Sequence, residues 1–176
     1  MVFLDESGFL LIPTVTRTWG PQGHTPILQH WLKRDRLSTF TALAVSPKRR
    51  HLGRSFRGYD RNLTGVEVRT FLRALLQHLR GPVVLLWDNG PIHRRRLVQA
   101  YLVAHPRVQP EWFPPYAPEL NPAEHVWTHL DRALANGAPE DLGDLRGRLH
   151  ASLRRLRHSQ ALLWACIEAS ELPWKR

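Results

Sequence analysis

The run Pro82-Val83-Val84-Leu85-Leu86-Trp87 is closed by Asp88 and followed at once by Asn89-Gly90-Pro91. Turn residues bound it at both ends, so it is too short for a helix, and apolar residues at both parities predict a strand buried on both faces. Such a strand belongs inside an α/β sheet. It also carries one carboxylate to its own carboxyl end, where open α/β sheets place their chemistry.

The other elements can be ordered around it. Val2-Phe3-Leu4 leads into Asp5-Glu6-Ser7-Gly8-Phe9 as a short strand ending in acids. Breakers at Pro13, Gly20-Pro21, Gly23 and Pro26 make residues 11–31 a long loop, with Trp19 as its expected anchor. Residues 38–46 and 52–59 have the composition of two antiparallel strands joined by a basic turn, Lys48-Arg49-Arg50-His51. Thr64-Gly65-Val66-Glu67 is a capping box, and behind it Val68, Phe71, Leu72, Leu75, Leu76 and Leu79 recur at helical spacing. A second helix is expected over 94–104, an edge strand over 108–113, and a third helix with Asn121 as N-cap and Pro122 at its first position. Residues 142–171 are helical in pattern with a break near His158-Ser159, and Arg146, Arg148, Arg154, Arg155 and Arg157 lie on the polar side. A right-handed crossover then sets the fourth strand beside and parallel to the first, and Asp5 and Asp88 finish on one edge of the sheet.

The charge of the chain points to its partners. A formal net charge of +10 on 176 residues repels itself unless a polyanion neutralises it, and the excess is arginine-weighted, which suits phosphate oxygens. DNA or RNA is the natural candidate, with Arg49, Arg50, His93, Arg94, Arg95 and Arg96 as candidate contacts. The Arg94-Arg95-Arg96 triplet near a helix start opposes the helix dipole unless an anion lies nearby. Cys166 is the single cysteine, so no internal disulfide forms, and no apolar stretch is long enough to span a membrane. The expected setting is the cytoplasm.

Three acids form the candidate site. Asp5 and Asp88 at adjacent strand ends repel each other unless a cation or a shared proton relieves them. Glu124, in the first turn of the third helix, can reach the same cavity. Magnesium takes oxygen ligands and few protein carboxylates, and two such ions roughly 3.5–4 Å apart clamp an in-line phosphodiester displacement. Each acid also has a plainer reading. Asp5 and Asp88 suit turns, and Glu124 suits a capping box with Asn121. Glu6 and Glu119 are the neighbours that replace them if the register is off by one. His125 and His129 share a helix face, but without the order of a zinc protease motif.

Four segments carry a resemblance. Asp5-Glu6-Ser7-Gly8-Phe9, Trp19-Gly20-Pro21-Gln22-Gly23, Trp87-Asp88-Asn89-Gly90-Pro91-Ile92-His93 and Pro114-Pro115-Tyr116-Ala117-Pro118-Glu119-Leu120-Asn121-Pro122-Ala123-Glu124-His125-Val126-Trp127 resemble the catalytic domain of the IS630 family of transposases, grouped with the Tc1/mariner enzymes in the DDE superfamily. The likeness covers about residues 2–135. It implies a ribonuclease H-like mixed sheet, three antiparallel strands followed by parallel ones, with flanking helices and a C-terminal helical tail. On that reading residues 1–136 are the catalytic domain and 137–176 a helical extension.

The same resemblance implies Asp5, Asp88 and Glu124 as the metal-binding triad for Mg2+ or Mn2+, with two ions. It implies hydrolytic nicking at transposon ends and strand transfer into target DNA at TA dinucleotides. Family members carry helix-turn-helix modules ahead of the first catalytic strand, and here four residues precede Asp5. The expectation is the catalytic half of a split or truncated frame, with a separately encoded helix-turn-helix half and a homodimer as candidate partners. The alternative is an inactive DNA-binding remnant.

Overall fold

The computed structural model describes residues 1–12, 14–29, 35–48 and 51–173. Five strands form one mixed sheet: β1 (Val2–Leu10), β2 (Arg36–Val45), β3 (Leu52–Tyr59), β4 (Val83–Trp87) and β5 (Val108–Trp112). Their spatial order is β3-β2-β1-β4-β5, with β1, β2 and β3 antiparallel and β4 and β5 joined in parallel beside β1. The ribonuclease H-like sheet read from the sequence is therefore the fold.

Helix α1 (Gly65–His78) opens on the capping box as expected, with the Thr64 backbone N–H donating to Glu67 Oε2 at 2.9 Å. Its apolar stripe packs with α2 (Arg96–Val103) against one face of the sheet, over Val2, Leu4, Val83, Leu85 and Trp87. Helices α3 (Pro122–Leu134), α4 (Leu142–Arg157) and α5 (Gln160–Ala169) cover the other face, over Phe3, Phe9, Leu37 and Leu43. Leu145, Leu149, Leu153, Leu163, Cys166 and Ile167 all lie in that second cluster. Among the described residues no helix is long and apolar enough to cross a membrane.

Three expectations need correction. β1 does not end at its acids but runs on to Leu10, because its full length pairs with β2, from Val2↔Ala44 to Leu10↔Arg36. β4 is buried on one face only: Val83, Leu85 and Trp87 are covered, while Val84 and Leu86 are half-buried. The physical reason is that α3, α4 and α5 pack mainly over β1, β2 and β3 and cover that face of β4 only in part, Leu86 lying at the border of their cluster. Trp19 is no anchor; it is 99% exposed. The loop that carries it is held instead by Asn136, whose Oδ1 accepts from the Thr16 N–H at 2.9 Å.

Candidate active site

Parallel pairing of β1 with β4 matches Val2 to Leu85 and Phe3 to Leu86. Continued by two residues, that register sets Asp5 opposite Asp88, just past the end of β4. Strand alternation turns Asp5 toward the α3 side and Glu6 toward the α1 side. The two adjacent acids thus enter different environments, and sequence spacing alone does not tell them apart.

Asp5 is 6% exposed, and Trp127 Nε1 on α3 donates to its Oδ2 at 2.6 Å. Burial, then the negative charge of Glu124, pushes the Asp5 carboxyl well above the usual carboxylate range, and the Trp127 hydrogen bond opposes that rise only in part. Helix α3 is fixed to β1 at its first turn: Asn121 caps it by accepting from the Ala123 N–H at 3.1 Å and donates through Nδ2 to the Leu4 carbonyl at 3.2 Å. Pro122 supplies the first helical residue, where a missing N–H costs nothing. Glu124 lies in the same first turn. It shares a hydrogen bond with Asp5, and burial together with the charge of Asp88 raises its carboxyl above the ordinary range.

Asp88 is held differently. The His93 ring lies flat against Trp87, with centroids 4.3 Å apart, and is fully buried. Its Nδ1 is 2.9 Å from both the Asp88 carbonyl and Asp88 Oδ1, and its Nε2 is 2.8 Å from Glu6 Oε1. Burial opposes charge on this ring, but the hydrogen bonds to Asp88 and Glu6 outweigh it and lift the imidazolium to about 10. The same hydrogen bond holds the Asp88 carboxyl below its usual value. Glu6 is raised by burial, against the pull of His93.

Asp5, Asp88 and Glu124 line one open cleft of about 500 Å3, walled by Arg94, Phe113 and Tyr116. Tyr116 stands fully exposed at its rim with φ 59°, a left-handed conformation uncommon for a residue with a side chain. The cleft opens where the sheet face beside β4 lacks a helix. Among the described residues, Glu6, Asp88 and His93 are the group whose ligand atoms lie close enough together, within 4.8 Å of one another, to hold one cation. Yet a ring that donates to two carboxylates as an imidazolium already supplies the positive charge there.

The family profile described as DDE superfamily endonuclease matches residues 1–146. The chain belongs to that family. No curated protein sequence matches it. Among solved structures it resembles a chain of the Mos1 strand transfer complex, with TM-score 0.72 at 19% identity, covering 95% of this chain and 50% of that one. The catalytic domain of Mos1 mariner transposase gives TM-score 0.64 at 15% identity, covering 95% and 74%. A chain of a simian T-cell lymphotropic virus intasome gives 0.54 at 17%, covering 89% and 63%. These likenesses establish the fold. The chain spans about half the length of the Mos1 chain in the strand transfer complex.

Of the residues singled out in the sequence, Asp5, Asp88 and Glu124 are brought together, and Arg94 joins them at the cleft wall. Arg95 and Arg96 are exposed at the start of α2, and Arg49 and Arg50 lie outside the described residues. His93 has no surface to offer DNA, because the ring that the sequence suggested for a phosphate is enclosed by Trp87, Glu6 and Asp88. Glu124 does not close a capping box; its carboxylate turns to Asp5. Glu119 stays outside the cleft, in a short 3-10 turn at Pro118–Leu120. Sequence reasoning missed the supporting roles of Trp127 and Glu6. The period-2 parity of β1 was the available signal for Glu6, and the separation of Trp127 from Glu124 by one helical turn was the signal for Trp127.

Proposed function

We propose that this DDE endonuclease is the catalytic domain of an IS630-type transposase. It hydrolyses phosphodiester bonds at transposon ends and transfers the freed 3′-hydroxyl to target DNA at TA sites. Residues 1–136 carry the reaction, and residues 137–176 are a helical extension that completes the core. The observation that carries this reading is the cleft shared by Asp5, Asp88 and Glu124, three acids from three separate elements.

The donor set suits Mg2+ or Mn2+. All three groups are hard oxygen ligands, and the Asp5 and Glu124 carboxyls are raised first by burial and then by a neighbouring carboxylate charge, Glu124 for Asp5 and Asp88 for Glu124, which a divalent cation offsets. The Mos1 mariner paired end complex similar to this chain was determined with Mn. Two ions, when bound, supply Lewis acidity at the phosphoryl oxygens and acidify the attacking hydroxyl. The chain's own residues fix the ligands. Trp127 orients Asp5, Asn121 anchors the helix that bears Glu124, and His93 pins the turn that bears Asp88.

DNA is the partner. Arg94 at the cleft wall and the exposed Arg95 and Arg96 that follow it make phosphate contacts, and the Tyr116 ring stacks on an unpaired base. Recognition of specific ends falls to a helix-turn-helix module, and the working assembly is a homodimer in the cytoplasm. Magnesium-dependent nicking of supercoiled plasmid tests the reading. Nicking by the wild type and its loss in Asp88→Asn support it. A folded wild-type chain that binds DNA but does not nick it under any divalent ion identifies an inactive remnant.

A further inference from the structure

A second concavity, of about 880 Å3, runs along the free edge of β3 between α1 and α4. Arg54, Arg57, Arg154, Arg157, His78 and His150 line it, and among the described residues no carboxylate does. His150, Arg154 and Arg157 recur at helical spacing on α4, so one face of that helix is basic where it meets the sheet edge. The arginine ion pairs found among the described residues, Arg61–Glu67, Arg146–Asp60 and Arg148–Asp144, use none of these four arginines.

Arg54 is the informative member. Its Nη2 donates to the Leu153 carbonyl at 3.1 Å, but its Nε and Nη1 are buried without a hydrogen-bond partner. Burial, and then the neighbouring Arg157 guanidinium, brings its pKa down to about 10. Two unpaired donors on a guanidinium crowded by a second one leave positive charge at this edge that no carboxylate lining the groove among the described residues offsets. The strand edge adds backbone donors. Gln160 takes up both Leu52 groups at 2.9 Å, its Nε2 donating to the carbonyl and its Oε1 accepting from the N–H. By strand alternation Arg54 and Phe56 turn their backbone groups the same way.

We propose that this groove is a second nucleic-acid site, which holds the phosphate backbone of duplex DNA outside the catalytic cleft. β2 separates β3 from β1, so the groove lies across the sheet from Asp88. An added peptide strand is the poorer occupant, since β3 carries Gly53, Arg54, Arg57 and Gly58, and charge and glycine both disfavour strand addition. Arginine forks match phosphate oxygens, and the groove needs no base edge. The identity of the polyanion rests on the reading of the chain as a DNA-cutting enzyme; the presence of an anion site does not.

The test is fluorescence anisotropy of a labelled duplex of arbitrary sequence, in chelator, between about 50 and 200 mM salt. The wild type is compared with Arg154→Gln/Arg157→Gln and, separately, with Arg54→Gln, each checked for native circular dichroism. The double variant is expected to lose about tenfold in affinity at low salt, with the log–log salt slope shallower by about two. Nicking of a duplex too short to reach the groove stays at the wild-type rate. An unchanged slope and affinity overturns the proposal, as does loss of polyglutamate binding with duplex binding intact. The isotherms decide the groove even for a chain that does not cut, so failure of the catalytic reading is told apart from failure of the site.

Discussion

His93 Nε2 lies 2.8 Å from Glu6 Oε1, and the fully buried ring that makes this contact also holds Asp88 through its other nitrogen. A carboxylate on β1 thereby sets the orientation of one past the end of β4. The sheet register and the His93 bridge act together.

Substituting Glu6 by Ala leaves that imidazolium short of one counter-charge in a buried place, which costs about 3 kcal/mol of stability. Glu6→Gln keeps an oxygen acceptor for the ring and costs about 1 kcal/mol. Urea unfolding checks both. If the bridge positions Asp88, Glu6→Gln also weakens Mg2+ binding measured by calorimetry, and a purely structural role leaves that affinity at the wild-type value.

Trp127→Phe retains the buried ring and removes the donor to Asp5. Loss of a charge-assisted hydrogen bond costs about 2 kcal/mol. The Asp5 carboxyl then rises further, since the Trp127 hydrogen bond is what lowers it. The expected kinetic signature is an optimum for nicking displaced to higher pH, because ionised Asp5 is reached later. An unmoved optimum refutes the orienting role of the indole.

Asp5 and Glu124 both have folded-state pKa values raised above the ordinary 3.8 and 4.5. A raised folded value means the native state binds the extra proton, so its contribution to stability is fully present below about pH 4 and is lost as pH climbs through the raised value. The metal-free protein is therefore strained at this site at neutral pH. Adding Mg2+ relieves it there, and differential scanning calorimetry should find a larger rise in Tm at pH 7.5 than at pH 5. Asp5→Asn removes most of that difference.

Much of this was legible from local pattern. The capping box at Thr64, the buried half of β4 and the Asn121-Pro122 helix start are short-range signals, and each formed where the residues placed it. The antiparallel meander and the parallel fourth strand followed from connection rules rather than from any single residue. What escaped was set by pairing partners and by coverage. β1 extends past its acids because β2 is long, which the sequence of β1 does not carry. Trp19 looked like an anchor on composition, but an aromatic in a loop is buried only if something packs over it, and here nothing does. His93 was visible as a residue near Asp88; its enclosure depends on Trp87 and Glu6, which only the folded sheet brings around it.

The central claim is that Asp5, Asp88 and Glu124 form one divalent-metal centre. Anomalous diffraction from crystals soaked in Mn2+ tests it most directly. The account predicts two peaks in the cleft, both contacted by oxygens of these three residues, and neither present in Asp88→Asn crystals. A peak between Glu6, Asp88 and His93, or none beside Asp5 and Glu124, contradicts it.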